Sequence, residues 1–525
     1  MTLPEQRVAD SSHAAVSRLA KSGAALTVVF VAGAVLLWRL DSVPRQVHGD
    51  EWTFSFAAWE FYRAPTADWF AVRGFIMGPF YAVLGLVPYL FGYNILTARL
   101  SDALLGIAAV ALLYNALRLT CTVRLATVAA LLLAVNHCHI AYARTAIGYV
   151  QTEFVVTLLF NLLVRLWTAP TALGAVGLGM GAAVGMQTAL ASMAAVPLLI
   201  VTVALLLLMH PAHRGPLRAP LCIAAVTFFA AAAPCWVAMW QQGDEFFARA
   251  HQVSILSPGV MRSAQQYYQT DSAPRVFALQ MWNALTAFHR GHDAQPAYGV
   301  EAPMADPYTA ALLIPGLLFS LWRLRNIVTL SALTFGAGYL VSGLGMNYAP
   351  AYQRALGGVP FAMTIAAIGL VQLVETACPR PRWLANGLLT AVVALCAYGN
   401  FQIYFVNCYT TLLTGDVDSE AGWAARELAP AYHVHLVDWF APGSESTRFI
   451  TAGVPVSFNP LRDAVAYVNT VSVTGHDVFI LNGDDAAARK ALVARFPTAR
   501  VETRRRHAVY GPSLFLAFVD AQQPS

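Results

Sequence analysis

The stretch Phe75-Ile76-Met77-Gly78-Pro79-Phe80-Tyr81-Ala82-Val83-Leu84-Gly85-Leu86-Val87-Pro88-Tyr89-Leu90-Phe91-Gly92 is apolar enough to count as a membrane span, yet it carries two prolines and is interrupted by glycines. Its reading sets the side on which everything after it lies. Elsewhere, apolar runs near twenty residues long fall at roughly 23 to 41, 97 to 117, 125 to 142, 149 to 167, 172 to 189, 192 to 209, 219 to 240, 307 to 322, 327 to 345, 355 to 375 and 384 to 405. That is about eleven spanning helices. If 75 to 92 lies along the outer surface, the inner side collects Arg7, Arg18 and Lys21, Arg118 and Arg124, Arg165, Arg214 and Arg218, Arg323 and Arg325, and Arg380 and Arg382. If it spans, the later clusters all move outside, against the positive-inside bias. We read it as a re-entrant or interfacial helix.

Composition agrees with a polytopic membrane protein. Hydrophobic residues make up 58% of the chain and charged ones 12%, about half the charged share of a soluble domain. The formal charge of +5 comes from arginine, since Lys21 and Lys490 are the only lysines. The arginines are dispersed in short loops with no basic stripe, so nucleic acid is not an expected partner. Seven cysteines without a CxxC pair, none after Cys408, indicate neither a zinc site nor a disulfide framework. The first apolar run is long enough to span and lacks an A-x-A-like cleavage site after it, which reads as a retained helix.

With this parity, residues 1–22 form a cytoplasmic N-terminus and residues 23–408 a transmembrane domain with large external loops at 42–95 and 241–306. The turns 142 to 149 and 346 to 354 are external as well. Residues 409–525 form an extracytoplasmic α/β domain. There, β-rich runs (His433 to Phe440, Arg448 to Thr451, Val478 to Leu481, Leu514 to Val519) alternate with helical ones (Ser419 to Leu428, Leu461 to Val471, Asp485 to Phe496). No G-x-G-x-x-G follows a strand, and no P-loop or kinase signature is present. Any group transfer therefore draws on a donor already activated in the membrane.

The external face gathers the chemistry. Val47-His48-Gly49-Asp50-Glu51-Trp52 places two adjacent carboxylates where the first helix meets water, a costly position that suggests function. The plain alternative is Asp50 as an N-cap with Glu51 in the first turn. Arg63, Arg99, Arg144 and Arg354 lie on the same side, and guanidinium forks match phosphate oxygens. Singly, each can also snorkel to headgroups. Glu153, one turn inside its helix, calls for a partner such as Arg144 or a metal. His137 and His139 point to different faces, which makes a shared metal improbable. In His289-Arg290-Gly291-His292-Asp293, with Pro296 and Tyr298 nearby, His292 and Asp293 either line an acceptor groove or form an ordinary solvated turn.

Four stretches carry a family resemblance: His48-Gly49-Asp50-Glu51, then Phe91-Gly92-Tyr93-Asn94 through Ala98-Arg99-Leu100-Ser101, then His139-Ile140-Ala141-Tyr142-Ala143-Arg144, and Gln353-Arg354-Ala355-Leu356 with Pro360. Together with the loop from Phe288 to Asp306 they span most of the first 375 residues. The chain resembles the GT-C glycosyltransferases, the type that includes protein O-mannosyltransferases and lipid A aminoarabinose transferases. The resemblance implies a plasma (inner) membrane enzyme moving a sugar from a polyprenyl-phosphate carrier to an extracytoplasmic glycan, lipid or protein, with inversion. It implies Asp50 as general base with Glu51 in support, and Arg99, Arg144 and Arg354 on the donor phosphate. It establishes no cofactor, and a divalent cation, with Glu153, His292 or Asp293 as ligands, stays open. The turn 142 to 149 has no Asp, and the residues before Pro79 lack the Glu-Lys found in aminoarabinose transferases. The rival readings are a transporter or flippase of a lipid-linked saccharide and a non-catalytic scaffold of the same fold.

Overall fold

The computed structural model describes residues 22–64, 78–188, 190–293, 300–342, 349–408, 417–440, 444–504 and 514–520. The N-terminal cluster of Arg7, Arg18 and Lys21, the residues Pro296 and Tyr298, and the start of the turn at 346 to 354 lie outside the described residues.

The helices follow the apolar runs. The first half comprises α1 (Ser22–Leu37), α2 (Gly49–Arg63), α3 (Gly78–Phe91), α4 (Ile95–Thr120), α5 (Val123–Val135), α6 (His137–Ala143) and α7 (Val150–Thr168). Then come α8 (Ala172–Gln187), α9 (Ala195–Met209) and α10 (Arg214–Gln242), followed by α11 (Asp244–Val253), α12 (Pro258–Tyr267) and α13 (Ala273–Leu285). The last group is α14 (Pro307–Trp322), α15 (Ile327–Ser342), α16 (Tyr352–Ala355), α17 (Val359–Ala377) and α18 (Arg382–Phe401).

Among the described residues, six helices are long and apolar enough to cross a membrane, or seven if the bent pair α5 and α6 is one span. Four more of the expected spans fall on shorter apolar helices, α1, α8, α14 and α15. Outer faces are apolar too: on α1, α8 and α14, Leu26, Phe30, Leu173, Leu318 and Trp322 are all more than 60% exposed. Such a surface is stable only against lipid or another apolar partner. The ambiguous run forms α3, whose 14 residues rise roughly 21 Å, short of a hydrocarbon core of about 30 Å. It lies against α2 and the first half of α4, where the Ser101 hydroxyl donates to the Leu84 carbonyl at 2.8 Å.

Local chemistry explains the helix ends. Asn94 and Thr97 form a reciprocal capping box at the start of α4. Asn136 ends α5 and begins α6: its Oδ1 accepts from the amides of Cys138 and His139, and its Nδ2 donates to the Met304 carbonyl. This one residue fixes the 59° bend between the two helices. A buried polar chain locks the bend to the later helices. The His137 ring bonds Asn400 at 2.7 Å, and Asn400 Nδ2 donates to Asp306, which caps α14.

The C-terminal part is a mixed five-stranded sheet of order β2-β1-β3-β5-β4, with β1 (His433–Phe440), β2 (Val456–Asn459), β3 (His476–Asn482), β4 (Arg500–Arg504) and β5 (Leu514–Asp520). Strand β1 is parallel to β2 and β3, and β5 is antiparallel to β3 and β4. Helix α19 (Val417–Leu428) covers one face, while α21 (Ala464–Thr470) and α22 (Ala486–Arg495) cover the other. One expectation is corrected: the run from Arg448 to Thr451 is not a strand but mostly helix, the end of α20 (Glu445–Ile450). Its β-favouring side chains Phe449 and Ile450 are wholly buried against the membrane domain, and that packing overrides local propensity. Strands β2 and β4, both short, were not expected.

Within this sheet His435 bonds Asp477 through Nε2 at 2.9 Å and Tyr467 through Nδ1 at 3.0 Å. Burial holds the imidazole below its ordinary value of 6.5, against the pull of Asp477. A neutral buried histidine must charge on unfolding, so the unfolded state binds more protons as pH falls below that value. The stability it contributes is present above pH 6.5 and lost on acidification. Thermal unfolding of the detergent-solubilised protein is expected at lower temperature at about pH 5 than at about pH 7. An equal midpoint for the sheet domain at the two values contradicts this assignment.

Candidate active site

The acidic stretch is held from three sides. His48 occupies the N-cap of α2, with extended backbone and its Nδ1 accepting from the Asp50 amide at 3.1 Å. Asp50 is therefore not the cap, as the plain alternative had it; it stands in the first turn, where the helix dipole favours negative charge. The side chains of Asp50 and Glu51 then diverge. Asp50 stays about one-third exposed, its carboxylate 3.7 Å from His48 Nδ1, while Glu51 is 1% exposed.

Glu51 makes a two-pronged ion pair with Arg99 (Nε to Oε2 2.9 Å, Nη2 to Oε1 3.1 Å) and accepts the Ala146 amide at 3.0 Å. Arg99 spends its remaining nitrogen on the carbonyls of Pro44 and Leu40. Arg144 donates to four carbonyls, those of Val35, Leu36, Trp38 and Val43, and so caps the carboxyl end of α1. Both guanidiniums have no exposed surface. Against the expectation that Arg99 and Arg144 hold a donor phosphate, the Arg99 donors and both terminal nitrogens of Arg144 are turned onto internal acceptors, and neither guanidinium presents an open fork. Glu51 likewise positions its neighbours and presents no surface to a substrate.

The turn at 142 to 149 connects this region to the rest. Its Ala146 amide binds Glu51, its Gly148 amide binds Asp102 at 2.7 Å, and the Tyr142 hydroxyl donates to Asp293 at 3.0 Å. Asp293, 1% exposed, also accepts the Tyr352 amide at 3.4 Å, two residues before the buried Arg354. His292, beside it, is exposed. Glu153 is fully buried and bonds His139 Nδ1 at 2.6 Å, not Arg144. One turn thus ties Glu51, with its partner Arg99, to Asp293, and Asp50 and Arg354 stand one and two residues from this network in the chain, but the three arginines are not gathered into an open pocket. Among the described residues, no three His, Cys, Asp or Glu side chains come together so as to hold a metal ion. Removing the phenol oxygen in Tyr142→Phe is expected to cost roughly 1.5–3 kcal/mol, the range for a hydrogen bond to a buried carboxylate. Chemical unfolding in detergent measures it, and wild-type stability means Asp293 does not depend on Tyr142.

Contributors from the C-terminal domain were not visible in the sequence. Ser419 Oγ bonds both the amide and the carbonyl of Val47, Trp423 Nε1 donates to the Arg45 carbonyl at 2.6 Å, and Glu420 pairs with the Arg45 guanidinium. Phe449 and Ile450 pack with Val47, Ile95, Ala98 and Ala146, burial worth about 1.5–3 kcal/mol for each of the two side chains. The Glu445 carboxylate approaches Gly49 closely: a Cβ there would stand 2.6 Å from Oε2, and the flexible Glu445 side chain would have to shift. Arg448 sits 4.7 Å over the Trp52 ring and Arg63 4.5 Å over Trp59. Between them Trp52, Phe56, Trp59 and Tyr93 form one aromatic ridge. No local signal marks 445–450 as part of this site; it is brought there by the docking of the two parts.

Neither a family model nor a curated protein sequence matches the chain. Among solved structures it is similar to ArnT from Cupriavidus metallidurans bound to undecaprenyl phosphate, with a TM-score of 0.53 at 13% identity, over 97% of this chain and 99% of that one. The apo state of ArnT aligns with a TM-score of 0.54 at 13% identity, over 96% and 98% of the two chains. The oligosaccharyltransferase AglB from Archaeoglobus fulgidus aligns with a TM-score of 0.49 at 10% identity, over 97% and 75%. At such identities the likeness to ArnT is one of fold, and it runs through the membrane helices and the C-terminal sheet alike.

Proposed function

From a chain that has the GT-C fold, we propose a membrane glycosyltransferase that moves a sugar from a polyprenyl-phosphate donor to an extracytoplasmic acceptor with inversion. The observation that carries this reading is the contrast within the acidic pair: Glu51 is sealed into the frame and Asp50 is left open beside a fixed helix start. Asp50 takes the proton of the acceptor hydroxyl as that oxygen bonds the anomeric carbon from the face opposite the lipid phosphate. The bond from that carbon to the phosphate oxygen breaks, and the lipid phosphate leaves with the electron pair. A phosphate is a weak base, so it needs charge stabilisation more than a proton. Arg448, at the Asp50 end of α2, and the buried Arg354 are the guanidiniums assigned to that task.

In this reading the 42–95 region and the C-terminal domain face away from the cytoplasm, and the C-terminal domain orients the acceptor. The test is transfer by the purified full chain with a polyprenyl-phosphate sugar, together with mass spectrometry of surface glycans, lipids and glycoproteins in a deletion strain. Unchanged surface molecules and no transfer reject the assignment. Orientation is read separately: a cysteine introduced by Asp50→Cys is expected to react with an impermeant reagent added outside the cell. Labelling confined to the cytosolic side rules the mechanism out.

A further inference from the structure

A cavity of about 220 Å³ lies between α12, α13 and the loop that follows, with the peptide at Ala349 and Pro350 as one wall. Its side chains include Tyr267, Trp282, Asn283, Thr286, Arg290 and His292. Three properties set it apart. The Tyr267 and Trp282 rings are 57% and 56% exposed, so large flat apolar faces meet solvent at the wall of a polar pocket. Amide, hydroxyl, imidazole and guanidinium groups stand around them, and no carboxylate is among the described lining residues. The walls are also fixed: Asn283 Nδ2 donates to the Ala349 carbonyl and to the Tyr268 oxygen, both at 3.3 Å. Asp293, next to His292, is pinned by Tyr142 and Tyr352. The same 142 to 149 turn binds Glu51 through Ala146, so the cavity and the acidic stretch rest on one framework.

A sugar ring offers what these groups can use. Its C–H face lies flat on an aromatic ring, its hydroxyls exchange hydrogen bonds with amide and hydroxyl side chains, and a carboxylate or phosphate on it meets the guanidinium fork. Walls already in place lower the ordering cost of binding. We propose that this cavity is a subsite for one negatively charged sugar residue of the acceptor. The inference rests on the glycosyl-transfer reading for its role, and on the cavity alone for its chemistry.

Calorimetry on the full-length protein in detergent, titrated separately with glucuronate, glucose 6-phosphate and glucose, tests it. Saturable binding of the anionic sugars is expected, with glucose at least tenfold weaker. Arg290→Ala should weaken glucuronate and glucose 6-phosphate at least tenfold towards the level of glucose, and Trp282→Ala should weaken all three. Trp282→Tyr should restore most of the affinity, and Asp50→Asn should leave it unchanged. Both substituted side chains are exposed, so thermal unfolding should match wild type. The proposal is overturned by absence of saturable binding, by glucose binding as tightly as the anions, or by wild-type affinity in Arg290→Ala or Trp282→Ala. Transfer lost in Asp50→Asn with no sugar bound here defeats the subsite alone. Sugar bound here with normal transfer in Asp50→Asn defeats the catalytic reading alone.

Discussion

Asp50→Asn is expected to reduce transfer by about 10²–10⁴-fold, the usual contribution of a positioned general base. The amide keeps the size of the side chain and its place in the first turn of α2, but it cannot take the acceptor proton. The buried ion pair belongs to Glu51 and the N-cap is His48, so the substitution leaves both of these in place. Stability and donor binding are accordingly expected to stay near wild type, with the loss confined to the rate at saturating donor and acceptor. Initial rates with the purified protein, alongside thermal unfolding, separate these effects. A variant that retains rates within a few-fold of wild type leaves Asp50 with no role as base.

The second large effect concerns Glu51 and Arg99. Each is at most 1% exposed, and each provides the other's counter-charge. Removing one side leaves an uncompensated charge in the interior, which costs about 3–5 kcal/mol. Glu51→Ala and Arg99→Ala should each lose that much stability, and Glu51→Ala also strands the Ala146 amide. A double replacement by apolar residues of similar volume should recover much of the loss, because the pair's desolvation cost is removed with it. Activity need not recover with stability, since the 142 to 149 turn and the start of α2 would no longer be tied together. Denaturant unfolding of the four proteins in detergent measures the coupling. Additive single effects, with no recovery in the double variant, contradict a buried mutually compensating pair.

Local signals carried the helices well and the site only in outline. Apolar runs marked the helices long and apolar enough to cross a membrane, because span length and hydropathy are properties of contiguous residues. Strand β1 was placed at its full extent, His433 to Phe440, for the same reason. The internal partners of Arg99 and Arg144 were not legible, because an arginine at a helix end looks alike whether it faces a ligand or caps buried carbonyls. What decides is the partner, and the partners are remote: Glu51 is 48 residues from Arg99, and Val35 is 109 residues from Arg144. Glu153 shows the same limit, since its partner His139 sits on α6, which the bend at Asn136 sets apart from α5 although the run reads as continuous in the sequence. The helical form of 445–450 had no local cause to be found, because its burying surface comes from α4 and the segment around Val47.

The grip of Ser419, Glu420 and Trp423 on residues 45–47 bears on how this protein can be cut and recombined. The last hundred residues are a splint for the segment just ahead of the acidic pair, with both polar groups of the Val47 backbone in contact with one serine oxygen. A chimera that takes the membrane portion from one parent and the sheet from another would mismatch this clasp. Residues 42–50 and 418–450 therefore form one cassette, to be exchanged together or left alone.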